Sequence, residues 1–387
     1  MRPSDHPAQP PLKEIAREWG RIGCLGFGGP PAHIALFRQL CVNEREWLSD
    51  EQFERAIAAT NLLPGPSSTQ LAIYCAWRLR GTVGALLGGL CFIVPGLILI
   101  LALSVLFLSS SPPSWVKGAG LGAGAAVAAV AVSAGCDVAM PIWRRSARSA
   151  RSRVLTYALA GAAGAALAGA WLVLVLLCCG VIELFWRWRP RRGVIALFGW
   201  PLLTIAGGAP GAVGALVWTA FKVGALSFGG GFVIIPLMQS DAVSTYHWMS
   251  HSQFLNAVAL GQLTPGPVVQ TVAAVGYSAA GIGGGLLAAV VAFAPSFSFI
   301  LLGAARFERL LLDHRVEAFL AGAAPAAAGA IIGSAIPLAL AISETWQYPV
   351  LALAAVLLLL RRGVVLTLLF AGAIGLLAGL LGAPLPS

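Results

Sequence analysis

Charge is what this sequence has least of. Only 10% of its 387 residues are Asp, Glu, Lys or Arg, against about 25% in a soluble domain. Enzyme signatures are missing too. No GxxxxGK[ST] occurs, since Lys13, Lys117 and Lys222 all lack that context, and there is no HExxH. The seven Cys (24, 41, 75, 91, 136, 178, 179) form no CxxC pair and read as reduced packing residues, neither a disulfide frame nor a metal site. The five His are scattered, and His247 and His251, four apart, are weak evidence for a metal. No metal or cofactor is therefore expected. Strand-type alternation is absent, which argues against a membrane barrel. Residues 1–11 are polar and Pro-rich, without the apolar core of a secretory signal.

What fills the chain is apolar length. Hydrophobic residues make up 58%, and Gly alone counts 46. Stretches such as 83–108, 118–140 and 319–342 reach the roughly 20 residues that cross a bilayer as helix. Abundant small residues suit closely packed membrane helices. The expectation is an all-α polytopic membrane protein with about 9–13 membrane segments, some of them broken or re-entrant.

The chain also repeats itself. A shift of 201 lays Arg21-Ile22-Gly23-Cys24-Leu25-Gly26-Phe27-Gly28-Gly29 on Lys222-Val223-Gly224-Ala225-Leu226-Ser227-Phe228-Gly229-Gly230. It lays Trp47, Ser49, Gln52 and Phe53 on Trp248, Ser250, Gln253 and Phe254, and Pro64-Gly65-Pro66 on Pro265-Gly266-Pro267. After one deleted residue Gln70, Gly81, Gly84 and Pro95 match Gln270, Gly281, Gly284 and Pro295. The division expected is an N-terminal repeat over 1–192, a linking transmembrane segment over 193–211, and a C-terminal repeat over 212–387.

Basic residues near membrane ends mark the cytoplasmic side. All of them except Lys117 and Lys222 can be put on one side. Segments 19–37 and 56–77 then enter from the cytoplasm and return. Residues 83–108 run outward, 118–141 run back, and the hairpin 154–169 with 171–186 returns to the Arg187–Arg192 cluster. A crossing at 194–209 delivers the second repeat to the outside. The first-repeat loop 38–55 carries Arg38 and Arg45, whereas its counterpart 239–253 has no Lys or Arg. Opposite bias in equivalent loops is the signature of two inverted-topology repeats. The net charge of +10 is thus an orientation signal, and no nucleic acid is expected.

The chemistry sits at the breaks. Pro-Gly-Pro cannot continue a helix, because Pro lacks the N–H and the residue before it leaves the α region. Broken backbone at membrane depth is tolerated only where protein or a watery cavity satisfies it. Matching breaks in two halves point to a transport site, with half-helix N-termini turned toward an anion. Candidate binding residues are Phe27, Gly28, Gly29, Asn61, Pro64, Gly65, Pro66, Ser67, Ser68 and Gln70 in the first half. In the second they are Phe228, Gly229, Gly230, Gln262, Thr264, Pro265, Gly266, Pro267 and Gln270. Arg21 and Lys222, equivalent in the repeat, would add two positive charges suited to a dianion, and intramembrane cations are functional candidates by default. Either can instead snorkel to the surface, and the Gly and Pro can serve packing alone. Asp137 is expected to pair with Arg144 and Arg145, with a proton-carrier role as the weaker alternative. Glu183 is expected to pair with Arg187.

The segments Gly26-Phe27-Gly28-Gly29-Pro30, Trp47-Leu48-Ser49, Leu63-Pro64-Gly65-Pro66 through Arg80-Gly81, Ser227-Phe228-Gly229-Gly230-Gly231 and Thr264-Pro265-Gly266-Pro267 resemble the chromate ion transporter family in its two-domain form. The likeness spans about residues 13–383. It implies efflux of chromate, with sulfate as the related oxyanion, across the bacterial inner membrane, and chromate resistance as the outcome. Membrane lipids are the expected surroundings, protons a candidate coupling ion and a homodimer a candidate assembly. The alternatives are a carrier of another anion, a membrane-embedded lipid-phosphate translocase or enzyme, and an accessory membrane subunit. No clustered acid or nucleophile favours the enzyme.

Overall fold

The structure, a computed structural model, describes residues 10–63, 65–109, 112–168, 172–187, 211–227, 231–303 and 313–385. Among them there is helix and no strand. In the first half the helices are α1 (Leu12–Leu25), α2 (Gly29–Arg38), α3 (Asp50–Leu62), α4 (Ser67–Phe107), α5 (Ser114–Arg145), α6 (Arg151–Ala163) and α7 (Leu172–Arg187). The second half has α8 (Ala212–Leu226), α9 (Ile235–Gln239), α10 (His251–Leu263), α11 (Thr271–Gly303), α12 (His314–Gly333), α13 (Ala335–Leu340), α14 (Gln347–Leu359) and α15 (Val364–Leu380). Among the described residues, four stretches are long and apolar enough to cross a membrane: Ser67–Phe107, Ser114–Arg145, Val268–Gly303 and His314–Leu340. The chain is an all-α polytopic membrane protein.

Local sequence explains where the helices start and stop. α3 and α10 open on identical capping boxes, Ser49 with Gln52 and Ser250 with Gln253. Each box satisfies two otherwise orphaned backbone donors. Both helices end two residues before a Pro. Leu63 (ψ 142°) and Thr264 (ψ 140°) are extended, as the clash with a following Pro ring demands. Gly65 and Gly266 then take φ of 125° and 92°, which favours a residue without Cβ. Further on, α4 and α11 are each interrupted, at Arg80–Gly81 and Ala280–Gly281, with the glycine φ at 59° and 65°. A Cβ at either glycine would meet nothing within 4 Å. Backbone conformation, not crowding, therefore calls for glycine there.

α4 exposes Val83, Leu86, Leu90, Val94, Ile98 and Val105, a stripe at helical spacing that suits lipid. Its opposite face buries Gly84, Gly88, Phe92, Gly96 and Ile100 against α1 and α11. α8 packs on α11 as α1 packs on α4. The two long helices α5 and α12 do not lie on the hairpins that follow them. α5 packs along α14 and α15, and α12 along α6 and α7. Small residues permit the close approach. A Cβ on Gly118 or Gly375 would come within 2.3 and 2.2 Å of the other's carbonyl oxygen, and one on Gly329 within 1.8 Å of the Ala158 oxygen.

Candidate functional site

A cavity of about 460 Å³ opens where the first-half breaks meet α5, α10 and α12, within the size range of small-ligand sites. Gly28, Gly29, Thr60, Asn61, Gly65, Ser67, Asp137, Arg145, Phe232 and Gln262 are in its lining. The remaining lining is mostly apolar, so these few polar groups set what can bind.

The two helix starts at the cavity are not equal donors. α2 begins Gly29-Pro30-Pro31, and Pro carries no N–H, so among its first three residues only Gly29 can donate. α4 begins Ser67-Ser68-Thr69 after the N-cap Pro66, and no side chain caps it. Its first backbone bond comes from Gln70 N to Pro66 O. Three N–H groups and the positive end of the helix dipole are left for an anion. A second observation points the same way. Gln262 is only 8% exposed, and its Nε2 has no hydrogen-bond partner among the described residues. A buried amide donor without a partner is costly, and here it lies in the cavity lining. Arg145 supplies formal positive charge.

The sequence candidates divide into groups. Gly28, Gly29, Asn61, Gly65, Ser67 and Gln262 come together around the cavity. Phe27 is exposed, while Ser68 and Gln70 lie buried in the first turn of α4 with Pro66 just before them. Thr264, Pro265, Gly266, Pro267 and Gln270 do not line the cavity; Pro265, Gly266 and Gln270 lock the second half to the first. Gly266 N donates to Gly26 O (2.9 Å), Gln270 Nε2 donates to Ile93 O (2.7 Å), and Gly96 leaves room for the Pro265 carbonyl. Pro64, Phe228, Gly229 and Gly230 lie outside the described residues.

Arg21 and Lys222 also lie away from the cavity lining. Arg21 is half exposed beside Glu18, its Nε 2.9 Å from Glu18 Oε2 but off the hydrogen-bonding direction. Lys222 Nζ is 2.5 Å from Asp241 Oδ2, and Thr219 Oγ1 donates to the same oxygen at 3.0 Å.

Of the two expectations about acids, one changes and one holds. Asp137 pairs with neither Arg144 nor Arg145; among the described residues it has no cation within 4 Å. Those arginines lie seven and eight residues on, about 10–12 Å of helix rise, whereas intrahelical pairs need a spacing of three or four. Glu183 does bond Arg187 (2.7 Å), and it also holds Arg153 (3.0 Å) and the Tyr157 hydroxyl (3.1 Å). The buried carboxylate thus ties α6 to α7.

The chromate transporter family profile matches residues 13–184 and 214–379. The chain belongs to the chromate transporter family. A chromate transport protein of Cupriavidus metallidurans is 32% identical over 90% of this chain and 88% of its own length. One of Pseudomonas aeruginosa is 31% identical over 87% and 83%. An uncharacterized transporter of Methanocaldococcus jannaschii is 27% identical over 78% of each. No solved structure matches the chain.

For this chromate transporter family member, sequence reasoning missed Thr60, Arg145 and Phe232 as cavity residues and set Asp137 aside as a salt-bridge partner. Asp137 carried a signal of its own: it is the single acid within the stretch Ser114–Arg145.

Proposed function

We propose that the protein exports an oxyanion dianion, chromate above all, across the bacterial inner membrane and so confers chromate resistance. The observation that carries this reading is the cavity at the uncapped start of α4, whose lining includes Ser67, the unpartnered Gln262 amide and Arg145. Relatives named as chromate transport proteins at 31–32% identity support the choice of substrate class. Gly28, Gly29, Asn61, Gly65, Ser67, Gln262 and Arg145 form the binding set, with Pro66, Ser68 and Gln70 holding the α4 start in shape. We assign two halves, 1–192 and 212–387, inserted with opposite orientation and linked through 193–211. That arrangement, and a homodimer in the lipid, are part of the proposal.

Direction follows from charge. A dianion leaving a negative-inside cell gains about 4.6 kcal/mol per 100 mV, twice the single-charge value. That sustains a gradient of roughly two-thousandfold without nucleotide hydrolysis.

Inside-out vesicles carrying the protein test this, offered labelled chromate with and without an imposed potential. Uptake that rises when the lumen is positive, and is competed by sulfate, is the expected result. Uptake equal to that of empty vesicles at every potential sinks it. Thiol labelling in whole cells tests the orientation: the loops near Trp47 and Trp248 should label from opposite faces.

A further inference from the structure

Among the described residues, Asp137 and Arg145 are the only charged side chains in the cavity lining. Resting on the oxyanion reading above, we infer that Asp137 is a proton site that fills as the anion enters, so that proton and oxyanion share the cavity. Three observations lead there.

Asp137 belongs to α5, an apolar helix of membrane-spanning length, where a carboxylate is expensive and marks function by default. The other acids engaged with the bundle are compensated: Glu18 by Arg21 and Arg45, Glu183 by Arg153 and Arg187, Asp241 by Lys222. Asp137 has no such partner among the described residues. The side chains that share the cavity with it cannot neutralise it. α12 contributes Ala323 and Ala327, α3 contributes Thr60 and Asn61, and α10 contributes Gln262. Arg145, the one other titratable group among the described lining residues, starts about 12 Å along the helix and is left to serve the anion.

Asp137 is exposed and lines the cavity, so a dianion within the same 460 Å³ is repelled by its ionised form. Protonation removes that repulsion, so the protonated form binds the anion more tightly, and by linkage the bound anion favours the proton. The only bond formed is O–H on an Asp137 oxygen, with the proton taken from water at the cavity mouth. Anion affinity therefore rises as pH falls. A turnover that carries the proton with the dianion moves one net charge instead of two.

The test is equilibrium binding of labelled chromate to the full chain in nanodiscs at pH 6 and pH 8, for wild type, Asp137→Asn and Asp137→Glu. Chromate's own protonation is common to all three and cancels in the comparison. Wild type should gain at least fivefold more affinity on acidification than Asp137→Asn, within the usual coupling range of about 5–150-fold. Asp137→Asn should bind tightly at both pH values, and Asp137→Glu should restore the pH dependence. Equal pH dependence in wild type and Asp137→Asn overturns the inference. Should Asp137→Asn yield no folded protein, Asp137→Ser is read in its place by the same criterion. Failure of wild type to bind chromate at either pH overturns the substrate reading instead, which separates the two claims.

Discussion

Replacing Lys222 should unsettle the protein through Asp241. The two side chains are 14% and 5% exposed, with Nζ 2.5 Å from Oδ2. Trp218 lies under the ammonium, 5.7 Å from ring centre to Nζ. At an effective dielectric of about 20 the gross attraction is roughly 6–7 kcal/mol, and desolvation offsets much of it. Lys222→Met leaves the buried carboxylate with the Thr219 hydroxyl as its one partner among the described residues, a loss of about 3–5 kcal/mol. With about 2.1 cal/mol/K of unfolding entropy per residue, 387 residues correspond to ~0.8 kcal/mol/K, so the melting midpoint should fall about 4–6 °C. Asp241→Leu should fall similarly, because it strands the ammonium. The double variant should recover most of the loss, since two apolar side chains can replace a buried pair at little cost. Midpoints are read by gel filtration after heating in detergent, and chromate transport is measured alongside. A Lys222→Met midpoint within a degree of wild type would refute the buried-pair account. A stable double variant without transport would return Lys222 to the substrate path.

Glu183→Leu should cost about 2 kcal/mol, because Arg153, Arg187 and Tyr157 all lose the same acceptor; the α6–α7 pair should become the first site of protease cleavage. Gly96→Ala should reduce the folded yield sharply, since its Cβ would lie 2.1 Å from the Pro265 oxygen, an overpacking worth about 1–3 kcal/mol. Gly81→Ala, with open space around it but φ at 59°, should cost only the backbone strain of about 1–2 kcal/mol. Ser49→Ala and Ser250→Ala should each cost about 1 kcal/mol through the lost cap; equal effects would reflect the matching geometry of the two halves.

Much of the fold is legible because backbone constraints are local. Pro64 and Pro265 end the helices before them, and Ser49 with Gln52 and Ser250 with Gln253 start new ones, whatever the rest of the chain does. The cavity was half legible for the same reason: the first-half break marks it. The second-half break carries the same Pro-Gly-Pro yet serves as a clamp on Ile93 and Gly26, and spacing alone does not distinguish the two roles. Charge compensation was hidden differently. The repeat shift lays Glu18 on Thr219 and Leu40 on Asp241, so the carboxylate beside the equivalent cations comes from a different helix in each half. That Asp137 does not pair with Arg144 or Arg145 follows from arithmetic on helix rise that the expected partnership overlooked.

The exchange of hairpins between halves sets an order of assembly. While the ribosome is still making the second half, α6 and α7 have no α12 to cover them, and α5 waits longer still for α14 and α15. The newly inserted first half is therefore an unfinished object with open flanks, one that depends on chaperoning by lipid or insertase until its sister emerges. Two fragments divided between Arg187 and Gly211 would each lack a cover that only the other can provide, so they should reconstitute when produced together and be degraded when produced apart.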